Sequence, residues 1–465
     1  MYRKWMAFGL VVGLLAVCLA GASGPAPPTR VATEKQVGSI DGNKWVQESF
    51  RVSPDGRRFL YAGRDGEKWF VALNGVAGKN YDGLDQPVFS PDGKRVTYRA
   101  KMGEKWVAVV DGKEAKAYDG IMAGTPVFSP DSQRVAYAAV AGGKWMVVVD
   151  GKEGAPVGGV MEGMPVFSPD GKRVAYAAQV DGKWHVIVDD QRSGPCDAVL
   201  SGSPVFSPDS KRAAYGRKAE NTWQVVVDGK AGPAYDAIGA ITFSPDSQRV
   251  AHAAARSGKV FLVLDGEEGK PYDDIAGGTF RFSPDSKRSA YLAKAGDKWV
   301  AVIDGQASKA YDEGMGGTPI FSPDSRRVAF GVREGEKWRV VVDGKEGAPT
   351  DGIGIGMLVF SPDSKSVAYM AAVSKRRVVV RDGQQSPSYD DVATGSLCFS
   401  PDGKRLAYAA NILTAWRVIV DGDRGKSHNV YVALGGGRVV FDAPDRFHYL
   451  ILKGTAIYLV EEQIK

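Results

Sequence analysis

Histidine and cysteine are nearly missing from this chain. Its 465 residues include four histidines and three cysteines. Catalysis by a convergent acid, base or nucleophile cluster therefore has little imidazole or thiol to draw on. His185 and His252 lie in apolar strand-like runs of different segments, and His448 lies near the C-terminus. Each reads as a structural residue. Cys196 and Cys398 are about 200 residues apart and no Cys-x-x-Cys occurs, which excludes thiolate metal knuckles and a disulfide framework. No Gly-x-Ser-x-Gly elbow is present, and no Gly-x-Gly-x-x-Gly opens a helix. Long apolar runs are absent after residue 20. An excess of one charge is lacking as well. The formal net charge is +6, and +4 without Arg3 and Lys4, too little for a nucleic-acid surface.

The N-terminus carries an export pattern. Arg3 and Lys4 precede an apolar stretch from Trp5 to Leu19, and Ala20-Gly21-Ala22 fits a small-x-small cleavage site. A signal peptide is expected over 1–22, with the mature chain starting at Ser23. A lipid anchor on Cys18 is the alternative, although Val17 stands where a small residue is expected. Residues 23–36 read as a Pro-rich linker.

What is abundant is repetition. Ser-Pro-Asp recurs with its serine at 53, 90, 129, 168, 207, 244, 283, 322, 361 and 400. The spacing is 39 residues except for two gaps of 37, ending at Ser90 and Ser244. An eroded eleventh copy surrounds Phe441 to Asp445. Each unit reads as four short runs. "PVFS" is β-prone, and Pro-Asp-Gly or Pro-Asp-Ser makes a turn. "RVAYAA" follows, then "KWHVIVD", and Asp-Gly closes a hairpin. A final run such as "KAYDGI" leads to the next unit. Four strands per roughly 40 residues describe one blade of a propeller. Radial stacking explains the repetition, because each blade buries both faces only against its neighbours.

"PVFSPDGKRVAY" resembles the TolB-type (WD40-like) β-propeller repeat, which also occurs beside prolyl-oligopeptidase-like enzymes. The resemblance covers about residues 37–465. It implies an extracytoplasmic protein that binds proteins or small ligands on a propeller face. The α/β domain and the hydrolase domain that accompany such propellers have no room here, so the envelope-complex role of the family does not carry over.

An all-β propeller of about eleven four-stranded repeats over 37–465 is thus expected. One large ring is favoured over two fused rings, with the N-terminal segment from Val37 supplying the missing outer strand of the last unit. Tryptophan recurs in one register, at 69, 106, 145, 184, 223, 299, 338 and 416, with Val260 and Arg377 in its place twice. Packing between blades accounts for this register better than a sugar-binding ladder does, each ring burying ~150–250 Å². The Ser-Pro-Asp aspartates read as turn caps paired with the following Lys or Arg. One carboxylate per turn is too few for Ca²⁺.

Function is expected on the loops that vary. From the second unit on, the position four residues before the Ser-Pro-Asp serine is neutral: Gln86, Thr125, Met164, Ser203, Ala240, Thr279, Thr318, Met357 and Ser396. These are candidate ligand contacts at the channel mouth, suited to a peptide or glycan. The expectation is a non-enzymatic extracytoplasmic binding or scaffold protein with a protein or peptide partner and no metal, cofactor or nucleic acid. Propeller enzymes (lyase or hydrolase) and glycan-binding modules are the rivals.

Overall fold

The computed structural model describes residues 29–85, 87–428, 430–431 and 437–465. The expected export signal, Cys18 and Gln86 lie outside them. Among the described residues there is no α-helix, only a 3-10 turn at Gln47–Ser49. The strands form eleven sheets, and these are the eleven blades of a single ring. Blades 1 to 10 are numbered here by the Ser-Pro-Asp serine each contains, from Ser53 to Ser400, and blade 11 closes the ring.

Blade 3 illustrates the unit. Its second strand, Val135–Ala141, pairs with the third, Lys144–Val149, which pairs with a short outer strand, Lys152–Glu153. The inner strand comes in two pieces. Gly120–Ile121 pairs with Val140 and Ala139, whereas Val127–Phe128 pairs with Ala136 and Val135. "KAYDGI" is therefore shared between blades. Tyr118 ends the outer strand of blade 2, and Gly120–Ile121 begins the inner strand of blade 3.

The second strand is buried on both sides, as a sandwiched blade requires. Its two faces differ in size. Val135, Tyr137 and Ala139 pack toward blade 2 around Ala108, while Ala138 and Val147 receive Tyr176 and Ile187 of blade 4. Bulky side chains of one blade thus settle on small ones of the last, which lets flat sheets interdigitate at native density.

The chain closes on itself. Arg30–Ser39 pairs antiparallel with the last strand, Ala456–Ile464, and forms the outer strand of blade 11. The strand starts at Arg30, so residues 30–36, which composition assigned to a linker, belong to the blade. Arg30 is buried and bonds Glu462 Oε2 at 2.8 Å and Val418 O at 3.0 Å. Its guanidinium also lies over the Phe447 ring. A core cluster containing Phe50, Phe59 and Tyr61 of blade 1 with Leu450, Ile457 and Leu459 of blade 11 completes the ring. The two cysteines among the described residues, Cys196 and Cys398, are free, and burial pushes the Cys398 thiol up to about 12.

Candidate functional site

The two faces of the ring are built differently. On the Ser-Pro-Asp face every turn is locked. Ser129 Oγ donates to Asp131 Oδ1 at 2.5 Å, and the Gln133 amide donates to the same oxygen at 3.1 Å. The Ser129 hydroxyl, followed by that amide, holds the Asp131 carboxyl below its ordinary range. The expected pairing of these aspartates with the next lysine is loose: Lys172 Nζ stands 4.0 Å from Asp170 and is largely exposed. The tight basic contact is made by the following arginine. Arg173 Nε bonds Asp189 of its own hairpin at 2.6 Å, Nη1 bonds the Ser210 and Lys211 carbonyls of the next blade at 2.9 Å, and the guanidinium lies over Phe206. Arg95, Arg134, Arg212, Arg288 and Arg327 repeat the clamp.

On the opposite face, an aspartate that follows the outer strand ties neighbouring hairpins together. Asp119 accepts from Lys105 of blade 2 and from the Gly142 amide of blade 3. The Lys105 ammonium, then that amide, holds its carboxyl below the ordinary range. Asp82, Asp197, Asp273, Asp312, Asp351 and Asp390 do the same for other blade pairs. Between these latches, the hairpin tips joining second and third strands are exposed.

Seven of the nine candidate mouth residues are buried, which removes them from the channel surface. Thr125, Met164, Ser203, Thr279, Thr318, Met357 and Ser396 are all at most 5% exposed. Their hydroxyls have a backbone task. Where the inner strand is interrupted, Ser396 Oγ donates to Ala393 O at 2.7 Å and accepts from the Ala409 amide at 3.0 Å. Thr318 bridges Met315 O and the Gly331 amide in the same way, and Ser203 bridges Leu200 O and the Gly216 amide. Ala240 is exposed.

The residues that do reach open space lie two positions earlier. Between Ile121 and Val127 the inner strand bulges at its free edge, which faces the channel, and the bulge tip is Ala123-Gly124. Gly124 has φ of +77°, and a Cβ there would meet nothing within 4 Å. The corresponding tips are Glu162, Ser201, Gly277, Gly316, Ile355 and Thr394, all exposed. Blades 2 and 6 have two residues fewer at this point, which accounts for the two 37-residue gaps. The shortened spacings are visible in the sequence, and only the strand pairing places them at the channel edge.

The tryptophans of the shared register are half-buried and pack against the inter-blade clusters, as Trp106, Trp145, Trp184 and Trp338 illustrate. The histidines are all buried. His185 Nδ1 lies 2.8 Å from Ser193 O, His428 Nε2 3.0 Å from Tyr449 Oη, and His448 Nδ1 2.8 Å from Asp442. Clefts of about 370 to 890 Å³ open between blades beside the Asp-Gly hairpins. They repeat one shape, with Tyr176, Tyr291, Tyr369 or Tyr408 in the wall. Between blades 5 and 6 His252 takes that place. Among the described residues, no group of His, Cys, Asp and Glu is arranged to hold a metal ion, and no helix is long and apolar enough to cross a membrane.

The molecule is thus an eleven-bladed β-propeller with one locked face and one variable face. No protein-family model matches the sequence, and no curated protein matches it. Solved structures that are similar include a eukaryotic initiation factor, at 13% identity and a TM-score of 0.41 over 80% of this chain and 96% of that one. The β-propeller domain of the Trilobed protease from Pyrococcus furiosus, with its open velcro topology, gives 14% and 0.29 over 57% and 94%. TolB from Acinetobacter baumannii gives 17% and 0.22 over 64% and 77%. The likeness is one of propeller architecture.

Proposed function

We propose that this propeller is an extracytoplasmic scaffold that binds a protein or peptide on its variable face. The asymmetry between the faces carries the reading. The Ser-Pro-Asp face spends its polar groups on turn caps and on clamps to the next blade. The other face and the channel edge present exposed tips that differ from blade to blade, from Glu162 to Ile355 to Thr394. A rigid ring with non-repeating tips is suited to recognition. The scarcity and burial of histidine, with His185 and His448 already engaged, support binding over catalysis. Export rests on the basic residues, apolar stretch and Ala20-Gly21-Ala22 of the leader.

A photo-crosslinking residue placed at Ala123, Ser201 or Thr394 tests the binding role, with Lys94 and Lys211 of the locked face as controls. Adducts are expected from the tips alone. Equal adducts from both faces, or adducts only from the controls, contradict the reading. N-terminal sequencing of the mature protein checks export and is expected to begin near Ser23, whereas an intact Met1 contradicts it.

A further inference from the structure

Nine of the eleven tips between second and third strands contain glycine or asparagine, residues that accept the left-handed backbone of a tight hairpin. Blades 9 and 10 do not. Blade 9 places Ser374 and Lys375 there with φ of +49° and +66°, and blade 10 places Leu413 and Thr414 there with φ of +49° and +71°. A leucine and a β-branched threonine in this region are backbone outliers. Leu413 is also 82% exposed, the most exposed large hydrophobic residue among those described. A side chain that costs strain and gains no burial in the free molecule invites a role outside it.

The charge of this sector is also an exception. Six other tips carry a carboxylate: Glu67, Glu104, Asp181, Glu220, Asp297 and Glu336. The tips of blades 9 and 10 carry none, and where the acid-free tips of blades 3, 6 and 11 are uncharged, blade 9 runs Lys375-Arg376-Arg377, with Arg377 in the register that tryptophan holds in eight blades. Arg376 Nη1 and the Leu413 amide bind the two carboxylate oxygens of one residue, Asp390, at 2.5 and 2.8 Å. That shared anchor sets the cationic hairpin and the exposed leucine side by side. Arg377 reaches Asp391 only at 3.9 Å, and Lys375 is exposed.

We infer that the hairpin tips of blades 9 and 10 form the docking point for an acidic protein segment that seats one aliphatic side chain against Leu413. The inference rests on the scaffold reading and gives its partner a chemistry. On a ring that nearly repeats eleven times, a partner must find one register. Carboxylates at six of the nine other tips repel an acidic segment there, and Lys375 and Arg377 attract it here in preference to the uncharged tips of blades 3, 6 and 11.

A displayed library of random dodecapeptides, panned against the folded wild-type protein, tests this. Enriched peptides are expected to be rich in Asp and Glu around a Leu, Ile, Val or Met. Fluorescence anisotropy with an enriched peptide should show at least a tenfold loss of affinity for Leu413→Asn and for the double variant Lys375→Glu/Arg377→Glu. Asparagine suits the left-handed backbone, so Leu413→Asn should melt at or above the wild-type temperature while binding is lost, a pairing that damage to the fold would not produce. A peptide with its acids changed to lysine should prefer the double variant. Enrichment of basic or uncharged peptides, or the absence of any enriched peptide, overturns the proposal. Binders indifferent to all three substitutions overturn this sector and leave the scaffold reading standing.

Discussion

Thr318 sits among the residues first read as ligand contacts, and its hydroxyl instead joins Met315 O to the Gly331 amide. Thr318→Val keeps the shape and leaves a buried amide without its acceptor. The expected cost is about 1–3 kcal/mol, read from chemical-unfolding midpoints. A binding residue would change affinity and leave that midpoint alone. His252 makes the second case. It is 7% exposed and makes no hydrogen bond among the described residues, and burial holds its pKa down to about 4. Between pH 4 and 6.5 the unfolded chain protonates this imidazole and the folded chain does not. Unfolded protein therefore binds more protons, so stability is fully present above that window and is lost as pH falls through it. The slope approaches about 1 kcal/mol per pH unit for this group. Burial lowers His428 in the same sense, so it adds to the trend. His252→Tyr restores the residue found at Tyr215 and Tyr291, and its melting temperature should fall less than that of wild type between pH 6.5 and 4.

Within the blade, the inter-blade arginine is the repeating device, and its displacement in blade 9 is instructive. Blade 9 has Ser366 where blades 1 to 8 have an arginine that reaches the next blade. Arg381, at the end of the third strand, takes over. Its guanidinium lies over Phe399 of blade 10, and Nη2 bonds Lys404 O at 3.0 Å. Arg381→Val should therefore destabilise by about 1–2 kcal/mol, from the loss of one cation–π contact and a charged hydrogen bond. Adding Ser366→Arg should recover most of it, because the arginine then approaches the same ring and carbonyl by the route used in blades 2 to 5, 7 and 8. Thermal melts of the single and double variants decide it, and equal destabilisation in both would show that the two positions are independent.

For the whole ring, closure depends on the strand Arg30–Ser39. Gln36 lies opposite Tyr458 in the antiparallel pairing of Arg30–Ser39 with Ala456–Ile464. Opposed Cα atoms in such a ladder are about 4.5–5.5 Å apart, within reach of a disulfide. Gln36→Cys/Tyr458→Cys should oxidise in the folded protein and raise its melting temperature under non-reducing conditions. Scattering should report one ring. A pair that stays reduced in folded protein, or a two-lobed profile, would contradict closure through the termini.

Repetition makes the blade legible in the sequence alone. The Ser-Pro-Asp turn, the Asp-Gly hairpin and the alternation of "RVAYAA" are local signals, each decided within a few residues by turn chemistry and β-pattern. Eleven units and their order follow from those signals, and so does the need for a strand from the N-terminus. Three things were decided only by tertiary structure, because each depends on a partner blade that local sequence does not name. Arg30 to Gln36 look like a linker until Glu462 and Phe447, more than 400 residues away, give Arg30 a buried site. Thr318 and Ser396 look like open positions until the second strand presents its amides to them. Leu413 resembles any other apolar residue in a strand run, and only the hairpin geometry places it at a left-handed tip in open solvent.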